Sequence, residues 1–192
     1  MKNENKIAKT QYPVMEVIKD RWSGRSFSDR ELTNDQLKTM VEAASWMFSA
    51  VNEQPWRYVL GLKGSDNFEK LLSTLAGGNA PWAKNAAALV LSVAKTTYTR
   101  EGSPLNGMAL HDVGSANAAF SLQATSMNIM SHPMGGFDKD KAKELFSLSE
   151  EMEPVIVFAL GYSDSAEKLE EPFLTRENTP RTRKNLDDLL LA

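Results

Sequence analysis

Two periods of apolar and polar positions run along this chain, and each change of period marks an element. Pro13 suits the first turn of a helix, where its missing N–H costs nothing, and Val14, Val17 and Ile18 follow on one face. A helix is predicted there, ending near residues 20–22. Thr33 and Gln36 have the spacing of a capping box. Leu37, Met40, Val41, Ala44 and Met47 then recur at helical spacing, which predicts an amphipathic helix over 34–48. Residues 56–62 alternate and are rich in β formers, so they read as a strand. Phe68, Leu71, Leu72 and Leu75 form the stripe of a helix over 66–76, closed by Gly77-Gly78-Asn79, and Trp82 reads as a packing residue. Residues 86–94 are almost wholly apolar, the pattern of a central strand buried on both faces. The longest helix is predicted over 110–130, where Gly114, Ser115, Ala116, Ala118 and Ala119 permit close approach by another helix. Asp138 caps a helix carrying Ala142, Leu145 and Phe146, 154–162 is a second central strand, and 185–191 is a short helix.

Three stretches fall outside this pattern. Arg21-Trp22-Ser23-Gly24-Arg25-Ser26-Phe27 follows the first helix as a basic loop. Residues 95–109 have no period; a binding lid and a plain surface loop are equal readings. Ser131-His132-Pro133-Met134-Gly135-Gly136-Phe137-Asp138 reads as a loop in which the glycine pair lets backbone approach a ligand or makes a tight turn. From residue 163 the chain becomes acidic and proline-bearing, ending in Arg181-Thr182-Arg183-Lys184 and the apolar Leu189-Leu190-Leu191, which needs a surface to dock on.

Composition narrows the function. With 192 residues and 42% hydrophobic content the chain is sized for one domain with a packed core. A net charge of −3 argues against nucleic acid or an anionic membrane as partner. There is no cysteine, so disulfides, thiol nucleophiles and thiolate metal sites are excluded, and a reducing cytoplasm is the expected compartment. Residues 1–11 read as a polar, mobile leader without the apolar run of a signal peptide. His111 and His132 are the only histidines, without a carboxylate cluster at metal-site spacing, so no metal is expected and both read as structural or substrate-facing.

The remaining polar residues point to an anionic, planar ligand. Arg21 and Arg25 are forks that stay charged at any working pH; read alone, the pair is more simply a solvated surface feature, and otherwise it holds an anion, a phosphate, a carboxylate or a ring that becomes negative. Asn52 and Gln54, in Ser49-Ala50-Val51-Asn52-Glu53-Gln54-Pro55-Trp56, carry carboxamides that donate and accept, suited to the mixed edge of a heterocycle; a polar loop is the plainer reading. Arg181 and Arg183 are a solvated patch or a clamp for an anionic group.

Taken in order, Arg-x-Ser-x-Arg-x-Phe, Ser-x-x-Asn-x-Gln-Pro-Trp, the Pro133–Asp138 loop and the C-terminal basic pair resemble the nitroreductase family of flavoproteins over about residues 12–185. The resemblance implies an α+β fold, a mostly antiparallel sheet flanked by helices. It implies an intertwined homodimer with residues 164–192 wrapping the partner subunit. It also implies one FMN per site at the interface and NAD(P)H as co-substrate. Arg21, Trp22, Ser23 and Arg25 match the first flavin-binding stretch; Ser49, Asn52 and Gln54 match the second, contributed by the other subunit. Pro133, Met134, Gly135 and Gly136 match the loop beneath the ring, and Arg181 and Arg183, with Lys184 as a weaker candidate, match the phosphate clamp. Arg25 and Gly135 then tune the ring, which carries the chemistry without a catalytic side chain. Tyr98, Arg100 and His111 are the substrate candidates for a nitroaromatic, quinone or similar flat acceptor. Relatives of this fold also include reductive dehalogenases and flavin-destroying enzymes, and a flavin-binding dimer without turnover is the non-enzymatic alternative. The chain departs from the family in Met47-Phe48 ahead of Ser49 and in Gly135 where some relatives carry Glu. No Gly-x-Gly-x-x-Gly fingerprint is present.

Overall fold

The computed structural model describes residues 4–102 and 104–191; residues 1–3 of the leader, Ser103 and Ala192 lie outside them. Its elements in chain order are α1 (Glu16–Asp20), α2 (Asn34–Ser45), β1 (Trp56–Leu62), α3 (Asp66–Thr74), α4 (Ala80–Ala83) and β2 (Ala88–Lys95). They continue with α5 (Ala109–Ser126), β3 (Met130–Met134), α6 (Lys139–Leu145), β4 (Met152–Gly161) and α7 (Phe173–Asn178). The four strands form one sheet in the order β1-β2-β4-β3, with every neighbouring pair antiparallel. The α+β class expected from the sequence is what the structure has.

The two central strands explain their own sequences. Every residue of β2 from Ala88 to Ala94 is buried. Val90, Ala94, Phe158 and Leu160 pack with α2 and α5, against Leu37, Met40, Ala44, Val113, Ala116 and Phe120. Leu89, Leu91, Val157 and Ala159 face the other way, onto Phe68, Leu71, Trp82 and Ala142. A strand covered on both faces loses its alternation and reads as one apolar run. Phe120 lies fully buried against Tyr58 and Phe158, with ring centroids 5.6 and 4.8 Å away. Helix starts follow their caps: Thr33 and Gln36 exchange both bonds of the capping box, and Ser65 and Asp138 each accept from a first-turn N–H.

Five expectations need correction. The first helix begins at Glu16, not Pro13. Val14 N–H closes a tight turn onto Tyr12 O, and the N-cap Met15 has no side-chain acceptor. Pro13 is compatible with a helix start but does not dictate one. The predicted long helix stops at Ser126. The stretch after it is not all loop: Met130–Met134 is the edge strand β3, with Ser131 opposite Leu160 and Pro133 opposite Phe158. Proline is admissible there because an edge strand leaves one side of its backbone unpaired. The aperiodic 95–109 segment is partly ordered by pairing, with Thr97 bridged to Leu105 and Tyr98 N–H donating to Pro104 O. Residues 186–189 form a 3-10 turn in place of a helix, and Leu189, Leu190 and Leu191 are exposed.

Candidate functional site

The basic loop is held by buried groups on three sides. Gly24 sits so tightly that a Cβ there would stand 2.1 Å from Met130 Sδ and 2.8 Å from the Trp22 ring. Its carbonyl accepts from His132 Nδ1 at 3.0 Å. An acceptor at that nitrogen fixes the neutral tautomer with its proton on Nδ1. Burial pushes His132 down to about 4, with Arg25 and Arg21 adding to the fall against the Gly24 bond. The His132 ring packs on Trp82 at 4.5 Å, and the Arg25 guanidinium lies 5.6 Å from the same indole. Glu177, only 3% exposed, accepts from Arg25 N–H at 2.9 Å and Ser26 N–H at 3.1 Å.

Cations from both ends of the chain gather here. Arg21 is held below the usual guanidinium range by burial first, then by Arg181 and Arg183. Arg181 donates to Lys6 O at 2.8 Å and to Lys19 O at 2.9 Å. Arg21 reaches the Ser23 hydroxyl at 3.5 Å. Among the described residues no carboxylate forms an ion pair with Arg21, Arg181 or Arg183. The Trp22 ring covers Gly24 and takes the Lys6 ammonium at 4.8 Å. It lines a cavity of about 420 Å³ behind the loop, shared with Lys6, Tyr162, Asp164 and Glu177. That cavity is not lined by Arg21, Arg25 or Gly135.

The glycine pair leads out of β3 beside the same indole. Gly136 O accepts from Ala76 N–H and from the Asn79 amide, both at 3.0 Å, which ties the turn to the segment before Trp82. Gly135 is exposed, with no atom within 4 Å of the place a Cβ would take. Pro133 is exposed and Met134 buried on β3. Arg21, Ser23, Arg25, Arg181, Arg183 and the Pro133–Gly136 turn thus belong to one end of the fold.

The amide segment lies elsewhere. It runs straight into β1, whereas the basic loop packs on β3, and these are opposite edges of the sheet. Three inter-strand steps separate them, roughly 14 Å. Val51, Asn52 and Gln54 all have positive φ, at 48°, 57° and 52°. For a β-branched residue that is a strained conformation, of a kind that concentrates at ligand-binding sites. The segment is pinned by Ala50 N–H to Asp112 Oδ2 at 2.9 Å and by Gln54 N–H to Ser49 Oγ at 3.0 Å. Glu53 accepts from Thr99 N–H at 2.8 Å, which brings the Tyr98–Arg100 tip alongside, with Arg100 packed on Tyr98 at 4.7 Å. His111, mostly exposed, binds Asp112 through Nδ1 at 2.9 Å and sits beside Phe48. Ser49, Asn52, Gln54, Tyr98, Arg100 and His111 therefore lie on segments that gather near the start of β1, a second candidate half-site apart from Arg21, Arg25, Arg181 and Arg183.

Sequence reasoning did not single out Lys6, Glu177, Asp112 or Trp82 as parts of the site. Each acts through contacts distant in the chain, and no local spacing signals them. His132 is buried, with its Nδ1 on the Gly24 carbonyl.

The halves suit a ligand with an anionic end and a flat ring. Residues 18–72 and 62–162 match the family described as "Nitroreductase family". A 15.4 kDa protein of Mycolicibacterium smegmatis is 30% identical over 141 residues, 69% of this chain and 92% of its own. A protein of Methanothermobacter thermautotrophicus named "Putative NADH dehydrogenase/NAD(P)H nitroreductase" is 26% identical over 163 residues, 83% of this chain and 81% of its own. A crystal structure of an oxidoreductase containing FMN superposes with a TM-score of 0.92 at 30% identity, covering 100% of this chain and 96% of that one. Among the described residues no helix is long and apolar enough to cross a membrane.

Proposed function

The chain belongs to the nitroreductase family, and on that premise we propose that it is an FMN-dependent NAD(P)H oxidoreductase working as a homodimer. When bound, FMN supplies the two-electron relay, so that NAD(P)H and a flat acceptor, a nitroaromatic or a quinone, use one slot in turn. Arg21, Arg181 and Arg183 hold the phosphate by charge-assisted hydrogen bonds. Arg25 supplies a fixed cation at the ring edge, a field that favours accepting electrons. The open face of Gly135 leaves room for a flat ring. Ser49, Asn52 and Gln54 reach the ring edge from the second copy, and Tyr98, Arg100 and His111 border the acceptor. A reducing compartment such as the cytoplasm, where reduced nicotinamide is abundant, suits this chemistry and the lack of cysteine.

One observation carries the reading: guanidinium groups from the two ends of the chain are drawn together against their own repulsion, and among the described residues no carboxylate pairs with them. An anion placed among them would relieve that repulsion. The test is direct. Purified protein is expected to be yellow, or to take up added FMN, and to bleach with NADH or NADPH under anaerobic conditions. Colourless protein that refuses FMN refutes the proposal.

A further inference from the structure

The leader does more than precede the fold. Lys6 is 5% exposed, and its ammonium donates to Arg176 O at 3.0 Å and to Thr179 O, the carbonyls at the end of α7. Its own carbonyl accepts from Arg181, which also bonds Lys19 O at the end of α1. Lys6 therefore ties together three strands of chain: the leader, the helix that delivers Arg21, and the segment that delivers Arg181 and Arg183. Glu177 supplies the countercharge. It lies on α7 between the two carbonyls that Lys6 binds, and its own carboxylate grips the backbone of Arg25 and Ser26. Burial holds Lys6 below the usual ammonium range, the charge of Glu177 works against that fall, and Arg25 and Arg181 add to it.

We propose that Lys6 and Glu177 form a brace that sets the spacing of Arg21, Arg181 and Arg183, so that Lys6 is a positioning residue for the anionic tail of a bound flavin. The inference rests on the reading of this cluster as the phosphate clamp. Left alone, the guanidinium groups would move apart, because each raises the energy of its neighbours. The ammonium of Lys6 holds the end of α7 two residues before Arg181, and the Lys6 carbonyl gives Arg181 a fixed acceptor. Neither group needs to touch the ligand. Their effect is that the cluster is assembled before the phosphate arrives, so binding does not bear the cost of gathering it.

The experiment compares FMN with riboflavin, which has the ring but no phosphate, on the full-length apo-protein and its Lys6→Met variant. Flavin binding is read by fluorescence quenching and folding by a thermal melt. The expected result is a loss of FMN affinity of about tenfold, equivalent to one strong polar contact, with riboflavin affinity changed by less than about twofold. Lys6→Gln keeps an N–H donor; it is the variant to use if Lys6→Met does not fold, and an intermediate FMN-selective loss is expected. Equal losses for both flavins overturn the brace, because a general loosening of the fold does not distinguish the tail from the ring. Unchanged affinities for both also overturn it. Wild-type protein that binds neither flavin overturns the phosphate reading together with the brace, whereas tight FMN binding by wild type and variant alike overturns the brace alone.

Discussion

His132 makes a pH-dependent contribution to stability whose size follows from its surroundings. The side chain is buried between the Gly24 carbonyl and the Trp82 ring, and the charges facing it, Arg25 and Arg21, are both positive. Its folded value is about 4 against an ordinary 6.5, so the folded state binds fewer protons than the unfolded one between these values. Stability on this account is fully present above 6.5 and is lost as pH falls towards 4. A shift from 6.5 to about 4 makes the loss between neutral pH and about pH 4.5 roughly 2 kcal/mol. That is a large share of an ordinary domain's stability. The perturbation is His132→Asn, which keeps an N–H near the Nδ1 position for Gly24 O and removes the titration. Urea unfolding of both proteins at the two pH values measures it, with the carboxylate contribution common to both. The variant is expected to lose about 2 kcal/mol less than wild type on acidification. Equal losses refute the reasoning, and with it the claim that this imidazole is neutral and proton-poor in the folded chain.

Two further outcomes follow from the same geometry. Gly24→Ala sets a Cβ against Met130 Sδ and the rigid Trp22 ring, so it is expected to cost about 1–3 kcal/mol in urea melts and to weaken FMN binding; a variant as stable as wild type removes the tight packing from the argument. Mixing Arg21→Ala chains with Asn52→Ala chains, each poor in FMN uptake alone, is expected to restore about a quarter of the sites, because half the random dimers are mixed and each carries one native site. Uptake no better than that of the parents would place both residues in one subunit's site.

Legibility in the sequence followed locality. The helices α2, α3 and α6 were readable because their signals are local: the Thr33–Gln36 capping box, the stripe Phe68, Leu71 and Leu72, and the Asp138 cap ahead of Ala142 and Leu145. β2 and β4 were readable because double-sided burial leaves a continuous apolar run. β3 was not, since five residues containing Ser, His and Pro carry no strand period, and only the pairing with β4 makes them one. The polar residues of the proposed site were readable as types, Arg, Asn and Gln, but which of them lie near one another was not. Nothing in Lys6 announces that it binds the end of α7, and nothing in Glu177 announces that it holds the backbone of Arg25. The Trp22 ring faces Lys6 and Gly24, which its place in the motif did not foretell.

The division of the site over two sheet edges has an energetic consequence. Around the amide half-site the chain exposes Trp46, Phe48, Val51, Leu105 and Leu110, with Trp46 at 81% and Val51 at 79%. Side chains of this size in water cost about 1.5–3 kcal/mol each relative to burial, and so many together mark a surface made to be covered. The strained backbone at Val51, Asn52 and Gln54 lies in the same patch. If a second copy covers it, the apolar gain of pairing and the completion of the ring site occur at one surface. A ligand that binds only the completed site then stabilises the pair by mass action. The chain's scarcity of histidine and its lack of cysteine fit this economy. Its part in the proposed chemistry is to bring separate charges and amides to one ring, and on the proposed homodimer it is the second copy that supplies the amides.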